Sequence, residues 1–417
     1  MKKISKKKKN YFKKQRKLNY KLHFLRTKYH KNIKLLIFLL LLLMNIFFYF
    51  YYLHSNPLND QIMETDNYAD FEKMKRKSKD DFSVKLLNEI RVIKHLFSNK
   101  INNYKINKSI IHITVSLNNN ENYKYILMVS MYSVLSNCNK KKSFIIYHVL
   151  CSPDFDELSV EIFKSLVKKF PHNVEMIFYK MGTLFKDQKI VGHSIAVYYR
   201  LVTPVFVNSD RIIHLDGDTM TFKDLREMYN LDFKDNYFLG LYDFLSDGVD
   251  HLGLHSEIYT NTGVLLYNLE KIRKDNKTIE IYNMANSNEY RLKNEDQTVL
   301  NYLLHPKIGR LPSKYAIFNF EDSSDIEVYI NNLRTKIPKE EVEEALKDPT
   351  IIHSVVCYPK LWNYNSVYQK AVSNCGQRGD CSCRKYFNLW HSFANQTDYY
   401  EEISNFTGVK NLYHNGI

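Results

Sequence analysis

The chain changes its hydrophobic period several times, and each change marks a boundary. Residues 35–53 form an uninterrupted apolar run of nineteen in which Asn45 is the only strongly polar side chain. The run has no polar face, so it does not read as an amphipathic core helix. As a helix it is about long enough to cross the ~30 Å hydrocarbon layer of a bilayer. A cleaved signal peptide is the other reading, but Tyr51-Tyr52-Leu53-His54 offers no small-residue cleavage site. The segment predicts an uncleaved transmembrane helix. Residues 54–108 are polar and charged, with one mildly amphipathic stretch at 82–97, and predict a stem with some helix. From Ile110 onward the pattern alternates. Residues 110–115 predict a strand, 125–135 a helix, 143–150 a strand, 158–169 a helix and 174–179 a strand. Alternating strands and helices predict an α/β domain with a mainly parallel sheet. Beyond Ser373 aromatic and cysteine residues continue without clear periodicity. The layout expected is a tail at 1–34, a membrane span at 35–53, a stem at 54–108, a main domain at 109–373 and an extension at 374–417.

Charge sharpens this layout. The formal charge of +15 suggests a nucleic-acid partner, and its distribution removes that reading. Residues 1–34 hold fifteen Lys and Arg and no acidic residue, while the remaining 45 basic residues balance 45 acidic ones. The body is neutral, and no nucleic-acid partner is expected. A basic flank beside an apolar span stays cytosolic. That predicts a single-pass type II protein with residues 54–417 on the lumenal side. Tyr49, Tyr51 and Tyr52 suit an interfacial aromatic belt. In a lumen, the sequons at Asn107, Asn276, Asn395 and Asn405 become acceptors for glycosylation, and the six cysteines become able to pair. Cys375, Cys381 and Cys383 cluster with no second pair at metal spacing, which favours local disulfide chemistry over zinc.

The candidate chemistry centres on Arg211-Ile212-Ile213-His214-Leu215-Asp216-Gly217-Asp218-Thr219-Met220. Period-two reading places a buried strand through 212–215, with two carboxylates at or just past its C-terminal end. Open α/β sheets bind ligands at that edge. Asp216 and Asp218 project to one side if strand geometry persists. Two carboxylates that close repel unless a cation lies between them, and a hard divalent ion that also holds phosphate oxygens meets the need. The bland alternative is a solvated turn, since Asp-Gly is an ordinary turn dipeptide.

The Asp-Gly-Asp segment resembles the Asp-X-Asp motif of GT-A glycosyltransferases, which holds a metal-bound nucleotide sugar. The succession of segments around it, from about Ile110 to Trp362, is similar to glycosyltransferase family 8, the family of glycogenin and bacterial lipopolysaccharide galactosyltransferases. Asn122 and Tyr123, after the first strand, match the family's uridine-binding turn, with Glu121 nearest to its acidic position. The run 193–201 resembles a Ser-X-X-X-Tyr-X-Arg-like helix whose arginine, here Arg200, reaches the donor. Gly240-Leu241-Tyr242-Asp243 resembles a strand whose aspartate binds a sugar hydroxyl, and Asn261-Thr262-Gly263 resembles an Asn-X-Gly segment in which Asn261 bonds the sugar and Gly263 allows close approach.

Asp296 and Gln297 match an Asp-Gln-Asp-X-Leu-Asn segment, with Thr298 in place of its second aspartate. The resemblance puts Gln297 near the reacting anomeric carbon and Asp296 on sugar hydroxyls. An N-capped helix starting at Asn294 is the structural reading of the same run. Residues 351–362 resemble the His…Lys-Pro-Trp segment, but the glycine after the histidine is missing and the proline precedes the lysine. By resemblance His353 is the third metal ligand beside Asp216 and Asp218, and Lys360 neutralises the diphosphate. The implied protein is a GT-A enzyme in the Golgi membrane. With Mn2+ or Mg2+ it moves a hexose from a UDP-sugar to a glycan or glycoconjugate, with retention of anomeric configuration. The alternatives are a non-catalytic, membrane-anchored sugar-nucleotide-binding or interaction protein and a glycogenin-like self-glucosylating primer.

Overall fold

The strand that carries the paired carboxylates lies near the middle of a nine-stranded sheet. A computed structural model of the chain describes residues 62–64, 81–98, 108–120, 122–188, 190, 194–243, 249–254, 258–287, 292–319, 323–332, 337–355, 360–362 and 382–407. The strands are β1 (Ile62–Glu64), β2 (Arg91–Ser98), β3 (Ser109–Leu117), β4 (Ser143–Cys151), β5 (Val174–Lys180), β6 (Arg211–Leu215), β7 (Thr219–Thr221), β8 (Phe238–Tyr242), β9 (Thr260–Asn268), β10 (Ile308–Arg310), β11 (Ile317–Phe318) and β12 (Ile351–His353). The helices that matter here are α1 (Asp81–Glu89), α2 (Tyr123–Asn137), α3 (Val160–Lys169), α4 (Glu295–Leu304), α5 (Lys339–Lys347), α6 (Ser382–Ala394) and α7 (Tyr400–Thr407).

The large sheet has the order β1-β2-β5-β4-β3-β6-β9-β8-β10, and a small one has β11-β12-β7. β3, β4, β5 and β6 run parallel, as do β8 and β10, but β2, β9 and β1 pair antiparallel. The sheet is therefore mixed, not mainly parallel as the alternation suggested. From β3 the chain winds outward through β4 and β5, then returns to β6 on the other side of β3. That reversal is a topological switch point, and its crevice lies beyond the carboxyl ends of β3 and β6.

Burial explains why these elements form. β4 is buried at every position, as a strand covered on both faces must be, and its sequence SFIIYHVLC is accordingly apolar almost throughout. α2 is buried continuously from Ile126 to Leu135, so it has no polar stripe and acts as core. Leu127, Val134, Phe163 and Leu166 pack with Ile113, Val149 and Phe178 in one cluster. A second cluster joins Tyr199, Phe206, Ile212, Leu265, Val299 and Leu300.

Two expected boundaries move. The stem expected at 54–108 contributes α1 and the strand β2, which hydrogen-bonds to β5, so the folded unit begins upstream of residue 109. The extension expected at 374–417 contributes α6 and α7, whose Tyr386, Trp390, Ala394 and Ile403 are buried in the first cluster. Cys138 and Cys151 are buried free thiols, so not all six cysteines pair; Cys357, Cys375 and Cys381, with the side chain of Cys383, lie outside the described residues. The expected membrane span at 35–53 also lies outside them. Among the described residues no helix is long and apolar enough to cross a membrane.

Candidate active site

Three strands deliver two carboxylates and an imidazole to one point. β6 ends at Leu215, so Asp216 stands at the sheet's carboxyl edge, where its N–H donates to the carbonyl of Gly263 at 2.8 Å. A turn through Gly217 then carries Asp218 into β7. β12 pairs with β7 so that His353 stands opposite Thr219, and the N–H of Ser354 donates to the carbonyl of Asp218 at 2.9 Å. This register brings Nε2 of His353 to 3.1 Å from Oδ1 of Asp218 and 4.0 Å from Oδ2 of Asp216. One ligand atom from each of the three residues lies within 4.8 Å of the other two. Two carboxylate oxygens and one imidazole nitrogen suit a hard or borderline divalent cation such as Mn2+. Gly263 makes the cradle possible, because a Cβ there would stand 2.6 Å from Nε2 of His353 and 2.8 Å from Oδ2 of Asp216. The residues present fit a bound divalent ion.

Both carboxyls are held well below the ordinary carboxylate range. Burial alone would raise them. At Asp216 the guanidinium of Arg200, His214 and His353 together outweigh it; at Asp218 Lys360 and His353 do so. Lys360 Nζ donates to Oδ2 of Asp218 at 2.6 Å and to the carbonyl of Ser354 at 2.9 Å. The expected group of Asp216, Asp218, His353 and Lys360 is thus assembled.

Arg200 lies in the 3-10 turn Ile195–Val202 and is almost wholly buried, unlike an ordinary surface arginine. Its guanidinium donates to Oδ1 of Asp216 at 2.8 Å and to the carbonyls of Thr262 at 2.5 Å and Val197 at 3.1 Å. Its Nε lies 3.3 Å from Oδ2 of Asp296. Asp296, expected on sugar hydroxyls, is itself buried and braces Arg200; burial pushes its carboxyl up to about 6, with Arg200 opposing and Asp216 adding to the rise.

A second polar cluster forms where β8, β9 and α4 meet. Oδ2 of Asp243 accepts from Nδ2 of Asn261 and Nε2 of Gln297, both at 3.0 Å. Oε1 of Gln297 accepts the N–H of Thr262 at 3.1 Å. Asn301 holds both backbone groups of Thr260, at 2.7 and 2.8 Å. The expected trio of Asp243, Asn261 and Gln297 is therefore one hydrogen-bonded unit beside Gly263. The side chain of Asn294 does not cap α4; it donates to the hydroxyl of Tyr259, while its N–H donates to Oγ1 of Thr298. The threonine that departs from the family pattern supplies that acceptor.

The turn expected to meet the nucleotide follows β3. Tyr123 is half-buried, and its ring lies against Gly217, between the two carboxylates. Asn122 is exposed at the start of α2, where its side chain makes no capping bond. Glu121 lies outside the described residues.

Three further residues belong to the site: Thr262 and Asn301, which in the sequence are only positions within the Asn-X-Gly and Asp-Gln-Asp-X-Leu-Asn resemblances, and His214, which no resemblance marks. His214 sits two positions before Asp216, on the same side of β6 by strand periodicity, and is fully buried with Nε2 3.1 Å from Oδ1 of Asp216. Burial, with Arg200 nearby, pushes its imidazole down to about 4, so the ring is neutral at physiological pH.

Known proteins resemble this chain in sequence and in fold. A putative glycosyltransferase of Haemophilus influenzae is 27% identical over 224 residues, 52% of this chain and 66% of that protein. A lipopolysaccharide 1,2-glucosyltransferase of Escherichia coli is 27% identical over 212 residues, 48% of this chain and 61% of that protein. The chain thus spans less than two thirds of the length of these relatives. The solved structure of the apo bifunctional glycosyltransferase WbbM superposes with a TM-score of 0.56 at 17% identity, over 72% of this chain and 52% of that one. At that identity the likeness concerns the fold, the α/β GT-A arrangement built on a mixed sheet. The model of glycosyl transferase family 8 matches residues 114–366, well over half the chain, and the protein belongs to that family.

Proposed function

We propose that this protein is a metal-dependent, retaining hexosyltransferase that takes a UDP-sugar as donor and a glycan or glycoconjugate as acceptor. One observation carries the reading: Asp216, Asp218 and His353 converge from β6, β7 and β12 at the switch-point crevice, with Lys360 alongside. The ion, when bound, supplies Lewis-acid stabilisation of the charge that develops on the leaving UDP. Lys360 adds a positive point charge next to that diphosphate, a task suited to a compact ammonium group. Arg200, clamped by Asp216, Asp296 and two carbonyls, keeps the crevice wall rigid. Asp243, Asn261 and Gln297 present a preorganised rim for the hydroxyls of the hexose. None of the residues at that rim is an isolated carboxylate set like a hydrolase nucleophile, which favours attack by the acceptor hydroxyl on the face the UDP leaves.

The lumenal, type II placement in a Golgi membrane belongs to the same proposal. It rests on the basic tail and apolar run of residues 1–53, and it agrees with the exposure of Asn276, Asn395 and Asn405. The test is a panel of UDP-hexoses given to the purified protein with and without Mn2+. Metal-stimulated release of UDP, and a product with the donor's anomeric configuration, are expected. Binding of UDP without turnover of any donor would instead make this a non-catalytic sugar-nucleotide-binding protein.

A further inference from the structure

Oδ1 of Asp216 accepts from two donors. Arg200 reaches it at 2.8 Å and Nε2 of His214 at 3.1 Å. The other oxygen, Oδ2, is the one that faces His353 and the space above Gly263. A carboxylate free to rotate about its terminal torsion would exchange these oxygens, because that torsion is broad. Two fixed donors on one oxygen prevent the exchange. Arg200 is held by its own contacts to Thr262 and Val197. His214 is held by the sheet, standing in register with Thr114 of β3 and Leu265 of β9.

The tautomer of His214 follows from its surroundings. Its Nδ1 is buried with no hydrogen-bond partner. A proton there would bury an unsatisfied N–H and set a bare Nε2 lone pair against the carboxylate. A proton on Nε2 leaves only an unpaired acceptor at Nδ1 and satisfies Asp216. The neutral Nε2–H form is the one this site stabilises.

We propose that His214 is a positioning residue for the metal-binding carboxylate. Its Nε2–H and the Arg200 guanidinium together pin Oδ1 of Asp216, which turns Oδ2 toward Asp218 and His353. His214 then acts on cation affinity without touching the cation or the sugar nucleotide. The inference rests on the metal-binding reading of the site, and it adds a donor that neither the Asp-Gly-Asp spacing nor the histidine of β12 supplies. Partners that orient ligating groups typically govern roughly 10–100-fold in metal affinity.

The experiment is Mn2+ binding to the full-length protein, read from the loss of the free-ion EPR signal, for wild type, His214→Gln and His214→Met. Glutamine carries an N–H close to the place of Nε2; methionine fills similar space without a donor. The glutamine variant is expected to bind within about threefold of wild type and the methionine variant roughly 10–100-fold more weakly. Melting temperatures without metal are expected to match, which separates positioning from general damage. If the methionine variant does not fold, His214→Leu takes its place in the comparison. Equal Mn2+ affinity in the glutamine variant and the donor-less variant would overturn the role of His214. Absence of Mn2+ binding by wild type would overturn the metal reading itself, an outcome distinct from the first.

Discussion

Tyr123 and Gly217 lie in contact across the switch point. A Cβ added to Gly217 would stand 2.7 Å from the Tyr123 hydroxyl oxygen and 2.9 Å from Cζ of its ring. The turn after β3 and the turn after β6, far apart in sequence, are thus fitted to each other at the ligand edge. The residue between the two carboxylates is glycine because the tyrosine ring occupies the space a side chain needs. Gly217→Ala is expected to force the ring away at a cost of about 1–3 kcal/mol. Affinity for UDP, measured by calorimetry, should fall, and Tyr123→Leu in the same chain should restore part of the lost stability. Additive losses in the double variant would show that the contact does not govern either turn.

Asp218→Asn is expected to leave the protein folded while removing nearly all metal-dependent transfer. Adjacent like charges add little to folding, and the loss of one ligand charge should withdraw several kcal/mol of transition-state stabilisation. His353→Ala should raise the Mn2+ concentration needed for half-maximal rate and lower the rate itself. A manganese titration of His353→Ala that overlays wild type would reduce His353 to a structural residue of β12.

Much of the site could be read from the sequence because strand ends are marked by abrupt changes from apolar to charged residues. β3, β4, β5 and β6 are apolar runs bounded by polar turns, and each appears within two residues of its expected place. The direction of pairing could not be read this way. The apolar stretch VLLY of the buried antiparallel strand β9 carries no mark that distinguishes it from one in a buried parallel strand. β2 was hidden because Arg91, Lys94 and His95 interrupt its period, yet His95 finds Glu175 on the neighbouring strand at 2.5 Å. His214 was passed over because a histidine inside an apolar strand has no local signal; only the three-dimensional approach to Asp216 reveals its donor. In α6 the buried residues Tyr386, Trp390 and Ala394 recur every four positions along one seam, and the aromatic residues between them mask that period in the sequence.

That seam has a consequence for Lys360. Trp390 of α6 is buried, and its ring lies 6.2 Å from that of Trp362, two residues beyond Lys360. Trp390→Ala is expected to cost about 3–5 kcal/mol of stability through the cavity it leaves. It should also weaken UDP binding by loosening the segment that carries Lys360. Trp390→Phe should restore most of the UDP affinity. Unfolding measurements and UDP titrations on both variants separate the two effects, and unchanged UDP affinity in a folded Trp390→Ala protein would detach α6 from the site.

Arg310 and Glu341 form a forked pair at 2.6 and 3.0 Å, and Oε1 of Glu341 also accepts from the N–H and hydroxyl of Ser313. Burial opposes the charge, but Arg310 and Ser313 outweigh it and hold the carboxyl down at about 2. A carboxyl lowered on folding contributes stability above its unfolded value and loses it as pH falls. The contribution should therefore be full above about 4.5 and fade toward about 2. Because the pair is partly exposed, Glu341→Gln is expected to cost only about 1 kcal/mol near neutral pH. The gap between the melting temperatures of the two proteins should close as pH drops below 4.5. A gap that stays constant to pH 3 would mean that the charge of Glu341 contributes nothing.

Topology supplies the last prediction. Fifteen basic residues precede Leu35, and the sequence after Leu53 is balanced in charge. Such an asymmetry retains the N-terminal side in the cytosol. Under the proposed topology the apolar run between them, long enough to remain in the bilayer, is expected to stay uncleaved. Residues 54–417 should then meet the glycosylation machinery. The side chains of Asn276, Asn395 and Asn405 are all exposed on the folded unit, so a glycan at any of them meets no steric bar from the core. Asn107 lies outside the described residues, and its use is expected from its polar surroundings alone. In cells expressing the chain with a tag at each end, protease treatment of intact microsomes should digest the N-terminal tag and spare the C-terminal one. Glycosidase treatment should increase the mobility of the protected chain. The opposite protection pattern, with the N-terminal tag spared, would overturn the type II assignment and the lumenal placement of the active site together.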